Sequence, residues 1–273
     1  MATFSSPPQP DGQKEAKLMS RIMSAPTGAR RLKDDHPGIP LTTEEIARTA
    51  AEVAEAGAEE FHLHVRDDAG VHSLDAGRYR EAMAAVAEAA PTLTIQITTE
   101  SAGIYGVEDQ FDCLDALTPA YATAAIRETM REPDIARKLY ALAAERDIRM
   151  QHILFDREDI DLLREAYSSG MIAGDSRDAI FVLGRYVPPR LAQKWELKPL
   201  VDEAAYLGLD WAACAFGKHE TACLTEALKL GGSVRVGFEN NIHLPSGALA
   251  VSNRDQVAEI VRIRAEIQAG GIA

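Results

Sequence analysis

The sequence predicts a TIM (β/α)8 barrel. Short apolar runs rich in β-branched residues recur along the chain, each followed by a longer stretch of helical periodicity, the pattern of repeated βα units. Eight such units are present, and a chain of 273 residues is close to the ~250 that this barrel typically needs. No internal repeat and no linker interrupts the chain after residue 20. Eight units at this length favour a closed barrel over an open doubly wound sheet.

Residues 1–18, with Ser5-Ser6-Pro7-Pro8-Gln9-Pro10, read as a flexible lead-in, and residues 19–273 as one barrel domain. The first strand is placed at Ile22–Ala25. Thr42-Thr43-Glu44-Glu45 then offers a hydroxyl cap and an acidic first turn to a helix starting near Ile46. The second strand spans Glu60–Val65, and Ser73-Leu74-Asp75 opens the next helix. Strands follow at Thr92–Thr98, at Tyr121–Thr123, which is the weakest signal, and at Met150–Phe155, where Asp156 caps the following helix. The last three lie at Ala179–Leu183, Trp211–Phe216 and Val234–Gly237, and Asn253 is expected to cap a final helix from about Arg254 to Gln268.

Composition narrows the function. A formal net charge of −13 argues against nucleic acid or a membrane surface as partner, since both are anionic. No run of about 18 apolar residues and no signal-peptide core is present, so a soluble cytoplasmic protein is expected. Cys113, Cys214 and Cys223 are odd in number and sit in apolar stretches, which suits reduced core thiols.

In such barrels the chemistry gathers at the C-terminal ends of the strands. His62 and His64 end the second strand two residues apart, so both imidazoles project to one face and can grip one cation. Alternation also groups Arg235, Gly237 and Glu239 at the end of the eighth strand, and Glu239 would complete a His/His/Glu set with an open position. Thr98, Thr99 and Glu100 end the third strand, and Gln151 lies on the fifth. Arg235 suits charge stabilisation; Arg66 suits either anion binding or a loop-fixing pair with Asp67 or Asp68. Gly217-Lys218 before a helix has the form of a weak anion-holding turn. The remaining histidines are poorer candidates: His36, His72 and His243 read as surface residues, and His152 and His219 fall at strand ends, where a supporting role is the minority reading.

The chain resembles the β-keto acid cleavage enzymes, the family typified by 3-keto-5-aminohexanoate cleavage enzyme, from about residue 21 to 268. The likeness rests on an ordered set: Ala25-Pro26-Thr27-Gly28, Pro40-Leu41-Thr42-Thr43-Glu44-Glu45-Ile46-Ala47, Ala56-Gly57-Ala58 leading to His62-Leu63-His64-Val65-Arg66-Asp67, Ile95-Gln96-Ile97-Thr98-Thr99, Leu154-Phe155-Asp156, Phe181-Val182-Leu183-Gly184, Gly231-Gly232-Ser233-Val234-Arg235-Val236-Gly237-Phe238-Glu239-Asn240-Asn241 and Ser252-Asn253. It implies a barrel that binds Zn²⁺ or another divalent metal through His62, His64 and Glu239, with Arg235 catalytic. It also implies a retro-Claisen exchange in which a β-keto acid and acetyl-CoA give acetoacetate and a new CoA thioester, in a homo-oligomer, commonly a tetramer. Thr98 stands where the family has a serine that contacts the substrate, and Thr99, Thr123, Gln151, Gly217, Arg66 and Arg30 are further candidate substrate contacts by their positions in this chain.

Five departures matter. Asn240 stands where the family has a general-base aspartate, and an amide cannot take a proton. Glu100 replaces a glycine and is a candidate for the missing base. Met150-Gln151 replaces Pro-Glu, and Thr123-Ala124-Ala125 replaces Ser-Leu-Thr. Arg30 and Arg31 follow Gly28 where some members carry an acid, which points to a substrate with an anionic or neutral distal group. Two other readings stay open: an aldolase-like lyase or enolising isomerase without CoA, and a barrel that binds ligand without turnover.

Overall fold

A computed structural model describes residues 20–173, 175–185 and 188–271, so the expected lead-in at 1–18 lies outside the described residues. The chain runs through β1 (Ile22–Ser24), α1 (Thr43–Glu55), β2 (Glu60–Leu63), a small β3–β4 hairpin (Val65–Arg66, His72–Ser73), α2 (Ala76–Ala89), β5 (Thr94–Thr98) and α3 (Val107–Leu117). It continues with β6 (Tyr121–Ala125), α4 (Ile126–Thr129), α5 (Pro133–Glu145), β7 (Arg149–Leu154), α6 (Arg157–Ser168), β8 (Asp178–Leu183) and α7 (Leu197–Leu207). β9 (Asp210–Ala215), α8 (Glu220–Lys229), β10 (Ser233–Val236) and α9 (Asn253–Gln268) complete it. Strands β1, β10, β9, β8, β7, β6, β5 and β2 close in that order into a parallel barrel, which is the expected TIM fold.

All eight expected strands form. The fourth, the weakest in sequence, is extended to Ala125, because its small side chains pair fully with β7 from Tyr121↔Arg149 to Ala125↔Ile153. The second stops at Leu63, and Val65 and Arg66 leave the barrel to pair with His72 and Ser73. At α1 the Thr42 hydroxyl accepts from the Glu45 N–H and the Glu45 carboxylate accepts from the Thr42 N–H, a reciprocal cap. Asp156 caps α6 as expected. At α9 the cap is Ser252 and not Asn253: the Ser252 hydroxyl accepts from Asp255 N–H, while the Asn253 carbonyl oxygen is drawn to the Phe238 N–H at 2.8 Å, tying the helix to the loop after β10.

The main core lies between the outer faces of the strands and the helices, with Phe61, Ile97 and Phe181 fully buried. The inside of the barrel is divided. Toward its C-terminal end, on β6 to β9, it is apolar, made of Ala125, Ile153, Ile180, Val182, Ala212 and Cys214. Toward its N-terminal end it is charged: Glu60 meets Arg21 at 3.0 Å and Arg149 at 3.5 Å, and Arg149 meets Asp178 at 2.6 Å. Aliphatic side chains usually dominate such an interior. Buried charge is tolerated here because each group has a partner. The cysteines are free and buried, and burial pushes the Cys214 thiol up to about 11 and that of Cys113 up to about 12. No helix among the described residues is long and apolar enough to cross a membrane.

Candidate metal centre and active-site cavity

His62, the third residue of β2, points inward with Nε2 3.2 Å from Nε2 of His64, which sits in the one-residue gap before β3. Oε2 of Glu239, three residues past β10, lies 3.7 Å from the first nitrogen and 3.5 Å from the second. The three donor atoms lie within 4.8 Å of one another, all in buried residues, and Glu239 Oε2 has no hydrogen-bond partner. Two imidazoles, a carboxylate and an orphaned buried oxygen fit a divalent cation.

Electrostatics prepares these ligands. Burial, then Arg235 and His64, holds the His62 pKa well below its ordinary value, so its imidazole stays neutral with a lone pair to offer. Burial alone would raise the Glu239 carboxyl; Arg235, with His62 and His64, outweighs it and holds that carboxyl well below the usual range. The Arg235 guanidinium donates to Glu239 Oε1 at 2.9 Å and to Cys214 Sγ at 3.4 Å. Backbone makes room for this cluster: Gly28 has φ +65°, and a Cβ on it would stand 2.6 Å from Glu239 Cγ.

These groups open on a cavity of about 170 Å³ lined by His62, Thr98, Glu100, Arg235, Glu239 and Arg30, and by Glu128 and apolar side chains on the far side. Thr98 holds its place through the Thr123 hydroxyl at 3.3 Å and accepts from the Glu100 N–H at 3.0 Å. Burial raises the Glu100 pKa, Glu239 and Glu128 add to it, and His64 and Arg30 oppose it. Arg30 lies 4.0 Å from Glu100, so its charge is partly offset. A larger hollow of about 460 Å³ at the opposite end, beside Arg149 and Asp178, is remote from these donors.

Other expected site residues are placed elsewhere. Arg66 spends its donors on the carbonyls of Gly28, Arg31 and Gly70 at 2.6–3.0 Å and shapes the loop that carries Gly28, while Asp68 pairs with Arg78 instead. The Thr99 hydroxyl donates to the Thr123 carbonyl, and Gln151 lies deeper in the barrel between Gln96 and Asp178. The Gly217 N–H is taken by the Asn240 carbonyl at 3.1 Å and is not offered to an anion. Asn240 is fully buried outside the cavity lining, with neither side-chain amide atom hydrogen-bonded.

The histidines expected at the surface differ too. His72 and His36 are both 3% exposed. The His72 ring lies 5.1 Å from that of His64, with Nε2 2.9 Å from the Glu100 carbonyl, and burial and His64 push its pKa down to about 3. His36 spans the Ala250 carbonyl and the Gly38 N–H. His152 packs between Tyr140 and Tyr167 outside the barrel wall, and His219 meets the Ala192 carbonyl. Glu128, Ile153 and Phe216 line the cavity without a motif in the resemblance to mark them, while Phe155 and Val182 lie in such motifs with no role assigned; inward alternation on β7 and β8 was the signal available for Ile153 and Val182.

Residues 20–270 match the model of the beta-keto acid cleavage enzyme family. The 3-keto-5-aminohexanoate cleavage enzyme of Fusobacterium nucleatum is 30% identical over 257 residues, covering 90% of this chain and 91% of that protein. The 3-oxoadipate:acetyl-CoA acetyltransferase of Cupriavidus necator is 27% identical over 252 residues, covering 89% and 87%. Among solved structures, the ternary complex of ObcA with a C4-CoA adduct and oxalate shares the fold at a TM-score of 0.65 and 15% identity, over 86% of this chain; the chain spans 65% of that protein's length. With a family model matching the barrel from end to end and a relative 30% identical over most of both chains, this protein belongs to the β-keto acid cleavage enzyme family.

Proposed function

We propose that the protein converts a short β-keto acid with a neutral apolar side chain, together with acetyl-CoA, into acetoacetate and the CoA thioester of that side chain. In this exchange the bond between the keto carbon and the carboxymethyl carbon breaks, acetyl joins the carboxymethyl carbon, and the freed acyl group takes the CoA sulfur. The observation that carries the reading is the cluster of His62, His64 and Glu239 donors, two of which, His62 and Glu239, line a cavity that is largely apolar on its other side.

His62, His64 and Glu239 would hold the cation, Zn²⁺ in the first instance, and when bound it supplies Lewis-acid polarisation to a keto group. The protein's own groups supply the rest. Arg235, buried and aimed along Glu239, stabilises negative charge developing beside it. Glu100 takes the proton from the carbon between keto and carboxylate groups, because it is the carboxylate in the cavity lining not engaged with Arg235 or with the Ser101 and Gln110 donors that hold Glu128. Thr98 positions the substrate beside it.

Size and charge support the substrate class. An engineered cavity of about 150 Å³ holds one benzene, so about 170 Å³ suits only a small acid. Ala125, Ile153, Phe155, Val182 and Phe216 face the tail, and Arg30, the cation in the described lining besides Arg235, lies 4.0 Å from Glu100. A neutral tail loses least on entering such a site. The reading includes a cytoplasmic homo-oligomer, whose mass light scattering would measure.

The test is acetoacetate formation from acetyl-CoA and a panel: a short neutral β-keto acid, a β-keto dicarboxylate and an amino β-keto acid. The neutral acid is expected to turn over best. Preference for either charged acid rejects the tail assignment, and turnover independent of CoA favours a lyase or isomerase.

A further inference from the structure

Between the metal centre and the N-terminal end of the barrel the interior is crossed by a line of hydrogen bonds with a fixed direction. His62 Nδ1 lies 2.7 Å from Gln96 Oε1, Gln96 Nε2 donates to Gln151 Oε1 at 3.1 Å, and Gln151 Nε2 donates to Asp178 Oδ1 at 3.0 Å. The line steps twice between register partners, His62↔Gln96 and Gln151↔Asp178, and once across β6. Every member is buried.

Its direction is set at the far end. Asp178 Oδ2 accepts from the Tyr121 hydroxyl at 2.7 Å and faces the Arg149 guanidinium at 2.6 Å. Burial raises the Asp178 pKa and Arg149 opposes that, while three donors converge on the carboxylate as an acceptor. An ionised carboxylate only accepts, so the Gln151 amide must turn its NH₂ toward Asp178 and its oxygen toward Gln96. Gln96 must then turn its own oxygen toward His62. Reversing either amide would bring two acceptors together without a proton in a buried place, which is costly.

A neutral imidazole carries one proton. Facing the Gln96 oxygen, His62 keeps it on Nδ1, and Nε2 is left with a lone pair directed at His64 Nε2 and Glu239 Oε2. His64 has no comparable support, since its Nδ1 is buried without a partner. The two imidazoles are therefore secured unequally.

We propose that Asp178, at the end of the barrel opposite the cavity, is a positioning residue that fixes the His62 proton on Nδ1 through Gln151 and Gln96 and so reserves Nε2 for a divalent cation. The second half of this statement rests on the His62–His64–Glu239 cation site; the first half is measurable without any ion.

The test joins two readouts on the full chain. Nuclear magnetic resonance of ¹⁵N-histidine-labelled, chelator-stripped protein reports which ring nitrogen of His62 carries hydrogen. Competition against a chromophoric chelator reports Zn²⁺ affinity. The wild-type protein is expected to show Nδ1 protonated and Nε2 bare. Gln151→Leu, which cuts the line without changing charge, is expected to give mixed tautomers and about tenfold weaker Zn²⁺ binding, the scale of losing an outer support of a metal ligand. Asp178→Asn should do the same, and the double variant should bind no more weakly than Gln151→Leu alone. Should Asp178→Asn fail to fold without its partner for Arg149, Gln151→Leu decides the matter.

Hydrogen on Nε2 in the wild-type protein, unaltered tautomer and affinity in Gln151→Leu, or additive losses in the double variant would each overturn the relay. Wild-type protein with Nδ1 protonated and no affinity for Zn²⁺ would instead overturn the cation site and leave the relay standing.

Discussion

The two sides of the cavity are built from strands of one barrel and obey opposite rules. Toward the C-terminal end of the barrel, β2, β5 and β10 carry His62, Thr98 and Arg235 inward, each tied to a named partner; β6 to β9 carry Ala125, Ile153, Val182 and Cys214 there, held mostly by contact, with the polar Thr123, Gln151 and Asp178 lying deeper. On the polar side geometry is fixed by direction, because a buried donor or acceptor without its partner is costly. On the apolar side only volume is fixed, and a well-packed wall tolerates changes that keep it. On the proposed reading, chemistry belongs to the first side and discrimination between substrates to the second.

The strongest way to break this comparison is to remove a ligand. Glu239→Gln or His64→Ala is expected to lower kcat by on the order of 10³-fold or more with loss of bound metal; elemental analysis beside steady-state rates checks it, and retained activity without metal would end the polar-side account. Next comes the base. Glu100→Gln should lower kcat about 100-fold with KM nearly unchanged, and adding Asn240→Asp to that variant should restore none of the rate, because residue 240 is buried outside the cavity lining. An unchanged kcat in the first variant would move proton transfer away from Glu100.

A smaller effect sharpens the apolar side. Ile153→Ala should cut kcat/KM about tenfold for the longest neutral acid accepted and much less for the shortest, with metal content unchanged. Equal losses for all chain lengths would deny this wall its role.

Glu220, packed behind β10, gives a prediction in pH. It is buried with Asn241 and Gly237 as donors, and burial pushes its carboxyl up to about 8. The folded form thus holds its proton more tightly than the unfolded chain does. Its stabilising contribution is complete below about pH 4.3, the unfolded value, and declines as pH rises toward about 8. The melting temperature should fall between pH 5 and 9, and Glu220→Gln should flatten that fall.

Much of this was legible in the chain. Period-two and period-3.6 patterns placed all eight strands, since a strand between a core and a helix layer writes its burial locally. Thr42 and Asp156 announced their caps because a cap is a contact within three residues. His62 and His64 showed themselves by spacing. Asn253 misled because two adjacent residues both suit a cap, and the distant Phe238 N–H decided between them. Arg66 and Gln151 read as substrate contacts because they fall at or near strand ends; the carbonyls of Gly28 and Gly70, and the pair Gln96 and Asp178, are brought to them only by closure of the barrel.

The sequence by itself determined the barrel, the metal-binding residue types and the replacement of an expected aspartate by Asn240, because each is written in local pattern or residue identity. Tertiary structure alone decided that one half of the mouth is apolar and that Asp178 is wired to His62. Those depend on which groups closure buries together, and a buried polar group takes its role from its partner.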